Sequence, residues 1–277
     1  MIWMSDDLPP NYQITPMGWV RVVVRGTAVG IVMFGCLAFL LGLRLIERPL
    51  FGQWRPVTPY ITQFVCRVAF VLIGIGYNRI GIPMAGAGAV VANHTSWLDI
   101  FALNAGKRIY FVSKAEVAGW PGIGWLARAT GTVFIARDRS QAVAQVKVFR
   151  SRLNYGHKLL FFPEGTSTDG QQVIAFKPTL FAAFFDASLC DTLAIQPVSV
   201  VYNAPNGFDV RHYGWWGEMD FASHLLKTLA QSPQGQVTVI YHDPVKVADF
   251  KDRKALAFHV HRVVCDGHLV HRSGENF

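Results

Sequence analysis

Charged residues and cysteine are both scarce in this chain of 277 residues. Charged side chains make up 16% of the sequence and hydrophobic ones 51%, so the chain is more apolar than an ordinary soluble protein. The four cysteines are scattered and form no C-x-x-C pair, which argues against a disulfide framework and against a zinc cluster. The length suits one large domain with a short accessory segment rather than two full-sized domains.

Motifs of several enzyme classes are also missing. No G-x-S-x-G nucleophile elbow or H-G-G-G oxyanion motif occurs, so a serine hydrolase with Ser96 or Ser167 as nucleophile is disfavoured. No Walker loop or dinucleotide fingerprint occurs either. The net charge of +8 favours an anionic partner, and the apolar composition favours lipid headgroups over nucleic acid, which we do not expect as a partner.

One segment is apolar enough to lie in a membrane. Residues 26–43 contain no charged side chain, and their length as a helix matches roughly the thickness of a bilayer core. No small-residue cleavage site follows, so we predict an uncleaved anchor rather than a signal peptide. More arginines follow the segment than precede it, which predicts the inner membrane with the bulk of the chain on its cytoplasmic face. A buried helix of a soluble protein is the alternative.

A second apolar stretch, residues 68–77, is too short to span a bilayer unaided. We expect it to lie in the membrane interface, to enter one leaflet or to pack onto the domain that follows. A stretch rich in proline and glycine follows at 81–88. We therefore predict a membrane anchor with an interfacial helix over residues 1–80 and a separate domain over 81–277.

The rest of the chain alternates short apolar runs with helical patterns, which predicts an α/β layered domain with a mixed sheet. Because the runs are continuously apolar, we expect the sheet to be covered on both faces. Helices are predicted between Ser140, as N-cap, and Gly156, and over 251–264. The predicted strands are 89–93, 108–113, 132–136, 158–162, 194–202 and 237–242.

The run ANHTSWLDIF places His94 and Asp99 five residues apart. Side chains at this spacing point about 140° apart on one helix, so the two meet only if His94 precedes the helix. With Thr95 or Ser96 as N-cap, Asp99 would lie in the first turn and accept the Nδ1 proton of His94, leaving Nε2 free as a base. Alternatively, His94 is a buried histidine and Asp99 a first-turn helix charge.

A second polar run, FPEGTSTDG, follows a predicted strand and is rich in hydroxyls and backbone N–H donors. Such a turn can cradle a phosphate or hold an acceptor hydroxyl. Buried and unpaired, Glu164 would be costly, so we expect it to bind a basic residue or the acceptor. An ordinary β-turn with Gly165 at its special backbone angle is the alternative.

Four motifs together resemble the glycerophospholipid acyltransferase family. In chain order they are NHTSWLD (93–99), TVFIARD (132–138), FFPEGTSTDG (161–170) and AIQPVSV (194–200). The resemblance covers roughly 88–202 and is strongest to bacterial 1-acyl-glycerol-3-phosphate and lyso-ornithine-lipid acyltransferases; YGWWGEMDF (213–221) supports it more loosely.

The resemblance implies a membrane-bound enzyme that moves a fatty acyl group from acyl-CoA or acyl-carrier protein to the free hydroxyl of a lysolipid. The acceptor it implies first is 1-acyl-sn-glycerol-3-phosphate, which gives phosphatidate, with lyso-ornithine lipid as the alternative. It also implies His94 as base and no covalent acyl-enzyme. We expect no cofactor, and no metal either, because the histidine-rich run that starts with His259 and His261 points these two side chains to different faces of a helix. A non-catalytic, membrane-anchored lipid-binding protein is the rival hypothesis, and it predicts that His94 is dispensable.

The matching positions also carry roles within this resemblance. Asn93 would orient the turn, and Lys114 and Arg137 would bind the acidic headgroup or the donor phosphate. Glu164, Gly165 and Thr166 would shape the acceptor site. One position departs from the family pattern: Ser167 stands where many members have a phosphate-binding arginine, which keeps the phosphate-free ornithine lipid open as acceptor.

Overall fold

The computed structural model describes residues 3–5, 12–120, 122–135 and 142–272. The helices are α1 Pro16–Phe51, α2 Thr58–Ile73, α3 Asp99–Gly106, α4 Ile123–Thr130, α5 Ala142–Asn154, α6 Phe221–Ala230 and α7 Arg253–Arg272. The strands are β1 Gly76–Ile80, β2 Gly88–Ala92, β3 Tyr110–Lys114, β4 Val133–Ile135, β5 Lys158–Phe161, β6 Ala194–Asn203, β7 Gln236–Tyr241 and β8 Val245–Lys246.

All the strands join one mixed sheet in the order β1-β7-β6-β2-β5-β3-β4, with β8 paired to β6. The pairs of β6 with β7 and β8 are antiparallel, and the others are parallel. The predicted mixed sheet is thus confirmed, and each predicted strand lies within two residues of an observed one. Strands β1 and β8 were not predicted.

Helices cover both faces of the sheet, as the continuously apolar strands predicted. On one face, Phe70 of α2, Leu103 of α3 and Leu229 of α6 belong to one buried cluster with the strands. On the other face, Phe149 of α5 and Val260 of α7 belong to a second buried cluster. The parallel strands β2, β3 and β5 end at the same edge of the sheet, and the loops that follow them form the candidate site.

Helix α1 is the apolar helix that the sequence predicted, extended at both ends. Thr15 caps it, because its Oγ1 accepts from the N–H of Gly18 at 3.1 Å, and it ends at Gly52, where φ is +61°. Within the described residues it is the one helix long and apolar enough to cross a membrane. Only 6% of its most apolar 18-residue segment is buried. Its apolar surface therefore remains available to lipid.

Helix α2 folds back along α1 and packs against α3. The turn between α1 and α2 is closed by buried Glu47, which accepts from the backbone N–H groups of Val57 and Thr58 at 2.8 and 3.2 Å. Phe70 and Ile73 are buried, so the part of the second apolar stretch that lies in α2 packs onto the domain. That is the third of the three arrangements the sequence left open.

Both ends of α1 contact the α/β domain. Near its N-terminus, Arg25 donates to the carbonyls of Leu229 and Gln231 at 2.9 and 2.6 Å. Just beyond its C-terminus, Arg55 donates to the carbonyl of Ala129 at 2.8 Å. The hairpin of α1 and α2 therefore lies along the domain, and β1, which comes before the predicted boundary at residue 81, pairs with β7 inside the sheet.

Candidate active site

Asn93 anchors the loop that leaves β2. Its side chain donates to the carbonyl of Val200 at 2.9 Å and accepts from the N–H of Val200 at 2.8 Å. This two-way bond fastens the end of β2 to β6 and fixes the direction in which the chain continues. Asn93, which the resemblance expects to orient the turn, is thus bonded through both polar atoms of its side chain at the start of that turn.

His94 and Asp99 meet as their spacing predicted. His94 Nδ1 lies 2.8 Å from Asp99 Oδ2, with His94 in the loop and Asp99 in the first turn of α3. The same oxygen accepts from the N–H groups of Thr95 and Ser96 at 2.8 and 3.0 Å. Asp99 is fully buried, and the helix N-terminus and these donors stabilise its negative charge.

The predicted N-cap was wrong. The cap position of α3 is Leu98, without a side-chain cap bond, and the carboxylate of Asp99 instead binds two N–H groups of the loop before the helix. A carboxylate accepts from backbone donors more strongly than a neutral hydroxyl does. These two bonds therefore fix the position of the carboxylate that His94 contacts.

The ring of His94 is held but not enclosed. It stacks on Phe162, with centroids 4.0 Å apart and ring planes at 10°. Its side chain remains 19% exposed, so a substrate can reach it. Phe162 was not identified as a site residue from the sequence, although it directly follows β5 in the FFPEG motif.

Glu164 is fully buried, and in the described part of the chain its hydrogen bonds are to backbone N–H groups rather than to a basic side chain. Its carboxylate accepts from the N–H of His94 at 2.6 Å and from the N–H of Ile174 at 2.9 Å. The pKa of Glu164 is raised to about 8, mainly by burial; the negative charge of Asp99 also raises it, while the two N–H donors lower it. Glu164 therefore shapes the site through the backbone of His94.

Gly165 and Thr166 form the turn that follows. Gly165 has φ +74° and donates to the carbonyl of Phe162 at 3.0 Å, a backbone angle that favours glycine. Thr166 Oγ1 donates to the carbonyl of Ser167 at 3.2 Å. The turn is joined to the His94 loop, because the N–H of Thr168 donates to the carbonyl of His94 at 3.0 Å.

The segment 213–221 forms another wall of the site. The N–H of Trp215 donates to the carbonyl of Thr95 at 2.9 Å, and Trp97 Nε1 donates to His224 Nδ1 at the same distance. Trp215 of this segment and His224 of α6 therefore hold the His94 loop at Thr95 and Trp97. The sequence indicated this segment only by its loose resemblance to the family.

The two candidate anion ligands are placed differently. Lys114 is the last residue of β3, at the edge of the sheet where β2 and β5 also end, and it is exposed. The predicted ligand Arg137 and the predicted cap Ser140 lie outside the described residues. The structure thus puts Lys114 at the same edge as His94 and leaves the role of Arg137 as a prediction.

Comparisons with known proteins agree with the four motifs. Residues 78–201 match the family described as Acyltransferase. A lyso-ornithine lipid O-acyltransferase of Rhodobacter capsulatus is 56% identical over 256 residues, covering 92% of this chain and 93% of that protein. A protein of the same name from Brucella abortus is 34% identical over 217 residues, covering 74% and 79%. The crystal structure of PlsC, the 1-acyl-sn-glycerophosphate (LPA) acyltransferase of Thermotoga maritima, has a TM-score of 0.64 at 19% identity, covering 94% of this chain and 97% of that one.

Proposed function

The chain belongs to the acyltransferase family, and we propose that it moves a fatty acyl group from a thioester donor to the free hydroxyl of a lysolipid, with His94 as general base. The observation that carries the proposal is the bond of 2.8 Å between His94 Nδ1 and Asp99 Oδ2. It pairs an accessible imidazole with a buried carboxylate that two backbone donors hold in place. Such a pair activates a hydroxyl nucleophile supplied by the substrate.

In this mechanism Asp99 accepts the Nδ1 proton, so that Nε2 carries the free lone pair. The acceptor hydroxyl attacks the thioester carbonyl while His94 Nε2 takes its proton. The C–S bond breaks, the new ester forms, and the thiolate of the donor leaves with the proton from His94. Phe162 keeps the imidazole ring oriented by stacking on it. The carboxylate of Glu164 binds the N–H of His94 and so fixes its backbone.

The remaining site residues have roles in substrate binding. Asn93 orients the loop, Gly165 and Thr166 shape the acceptor side, and Lys114 and Arg137 bind the anionic part of the donor or of the acceptor. Lys114 is exposed at the edge of the sheet that carries His94, where a phosphate of CoA or of a carrier protein's prosthetic arm can approach from solvent. Both donors fit this arrangement.

We propose lyso-ornithine lipid as the acceptor, of the two that the sequence left open. A relative of that name is 56% identical along almost the whole chain. Ser167, in place of the arginine common in the family, removes one phosphate ligand from the turn beside Thr166. An ornithine lipid carries no phosphate, so its binding does not depend on an arginine at this position.

The enzyme acts at a membrane surface. Helix α1 is long and apolar, and α4, which contacts α1, exposes 73% of Trp125. Indole rings favour the interface between headgroups and acyl chains. We propose that the membrane is the inner membrane and that the catalytic domain faces the cytoplasm, because arginines flank the apolar segment on both sides (Arg21, Arg25, Arg44 and Arg48) and arginine is enriched on the cytoplasmic side of membranes.

The experiment is acyl transfer by the purified enzyme in detergent. Labelled acyl-CoA and acyl-carrier protein are each offered with lyso-ornithine lipid and with lysophosphatidate, for the wild type and for His94→Ala. We expect transfer to lyso-ornithine lipid, lowered by about 10²–10⁴-fold in His94→Ala. His259→Ala, which removes an exposed histidine of α7, is the matched control and should retain full turnover.

Each outcome of this assay separates the hypotheses. Preference for lysophosphatidate would overturn the proposed acceptor and assign phosphate binding to Lys114 and Arg137 despite Ser167. Near-normal turnover of His94→Ala would overturn the general-base mechanism. Binding of lysolipid without any transfer, unaffected by His94→Ala, is the result expected of a non-catalytic lipid-binding protein.

A further inference from the structure

The first described residues of the chain lie across the turn that holds Thr166. The backbone N–H of Trp3 donates to Thr166 Oγ1 at 3.3 Å, and the carbonyl of Trp3 accepts from the N–H of Gly217 at 3.2 Å. Met4 lies beside the same glycine, with Sδ 3.1 Å from where a Cβ of residue 217 would stand. A short N-terminal peptide therefore bridges two segments that are distant in the chain.

Both bridged segments support the His94 loop. Thr166 comes two residues after Glu164, whose carboxylate binds the N–H of His94. Gly217 comes two residues after Trp215, whose N–H binds the carbonyl of Thr95. The peptide thus connects the turn of Thr166 with the segment of Trp215, both of which adjoin residues that bind the His94 loop.

The bridge also fixes the hydroxyl of Thr166. Its oxygen accepts from Trp3 while its proton is donated to the carbonyl of Ser167. A hydroxyl that is engaged as both acceptor and donor is restricted to one orientation. The acceptor turn consequently presents one fixed surface, and the peptide that holds it carries the partly buried Trp3 and the exposed Met4.

We propose that the peptide Trp3–Ser5 completes the acceptor site and positions Thr166 for binding of the lysolipid. The inference rests on the proposed function, which assigns Thr166 to the acceptor side. The apolar side chains of Trp3 and Met4 suit an acceptor that already carries one acyl chain, since burying methylene groups is favourable and a water-soluble alcohol offers none. The peptide therefore contributes to binding of the acceptor and not to binding of the thioester donor.

Trp3→Pro and Trp3→Ala test this bridge as a matched pair. Proline removes the backbone N–H that Thr166 binds, whereas alanine keeps it and removes the same indole ring. We expect the KM for lyso-ornithine lipid to be about fivefold higher in Trp3→Pro than in Trp3→Ala, the effect of one neutral hydrogen bond. The KM for the thioester donor and kcat at saturating acceptor should agree between the two.

Thr166→Val removes the other partner of the same bond and completes a double-mutant cycle. In the Thr166→Val background, exchanging alanine for proline at residue 3 should no longer change the KM. Deletion of residues 2–5 should raise the KM for lysolipid at least as much as Trp3→Pro, with an unchanged melting temperature of the domain.

Two results would overturn the inference. One is an equal acceptor KM in Trp3→Pro and Trp3→Ala, and the other is the same proline effect with and without the Thr166 hydroxyl. Both results are measured in an enzyme that transfers acyl groups to lysolipid, so neither of them contradicts the proposed function. A wild-type enzyme that transfers no acyl group would instead refute the proposed function.

Discussion

Glu164 is a side chain of the site whose pKa its surroundings shift strongly. It is fully buried, its pKa is raised from 4.5 to about 8, and its two hydrogen bonds reach the backbones of His94 and Ile174. Between these two pKa values the folded protein holds a proton that the unfolded chain has released. The contribution of Glu164 to stability is therefore complete below about pH 4.5 and is lost as the pH rises to about 8.

Glu164→Gln should remove this pH dependence, because the carboxamide does not titrate. We expect the free energy of unfolding of the wild type, relative to that of Glu164→Gln, to fall steadily from about pH 5 to about pH 8. Chemical denaturation of the detergent-solubilised enzyme at several pH values measures it. Glu218→Gln, at an exposed position, is the control and should follow the wild type. Parallel curves for wild type and Glu164→Gln would contradict the expectation.

The contacts of individual site residues were predictable where few alternatives exist. His94 and Asp99 were paired from their spacing together with the motif that contains them, since only a loop-to-helix junction lets them meet. The backbone partners of Glu164 were not predicted, because backbone N–H groups occur at every residue and leave no mark in a sequence. Phe162 was missed for a similar reason, because an aromatic residue after an apolar strand is indistinguishable from a core residue until His94 is placed on it.

Among the elements, the predicted strands were found because each is a short, predominantly apolar run. Strand β1, Gly76–Ile80, was missed because it is an edge strand that is mostly exposed and carries Asn78 and Arg79. It lies directly after α2, so its first residues were assigned to the apolar stretch of the N-terminal segment. Only its pairing with β7, which is far away in the chain, identifies it as part of the sheet.

The hairpin of α1 and α2 depends on one buried carboxylate. Glu47 accepts from Thr58 Oγ1 at 2.7 Å, from the N–H groups of Val57 and Thr58, and from Arg44 at 2.9 Å. Glu47→Ala would leave these donors in the turn without their acceptor. We expect a loss of about 1–3 kcal/mol in the free energy of unfolding, measured by denaturation in detergent, with faster proteolysis between α1 and α2.

Glu116→Ala is the matched control for this change. Glu116 is exposed, so its removal should alter the free energy of unfolding little. If Glu47→Ala and Glu116→Ala were equally stable and equally resistant to protease, the carboxylate would not be what holds the hairpin.

For the whole molecule, the contacts of α1 define how the enzyme meets a membrane. Arg25 near one end and Arg55 beyond the other both donate to carbonyls of the same α/β domain. The two ends of α1 should therefore lie on the same side of the bilayer, with the apolar face of the helix in contact with lipid.

The substitutions Gln13→Cys and Gln53→Cys, at exposed positions on either side of α1, test this arrangement. In a variant whose four native cysteines are replaced by alanine, an impermeant maleimide should label both positions in inside-out vesicles and neither in intact spheroplasts. If Gln13→Cys and Gln53→Cys were labelled from opposite sides, α1 would instead cross the membrane.

The exposed apolar surface of α1 also determines how substrate concentration must be expressed for this enzyme. An enzyme attached to a bilayer along this surface meets lysolipid by lateral diffusion within the leaflet, and its product ester is released into the same two-dimensional phase. Turnover then depends on the mole fraction of lysolipid among the surrounding lipids rather than on its amount per volume. Diluting the acceptor with inert lipid at constant bulk concentration slows such an enzyme, whereas diluting the vesicles with buffer does not.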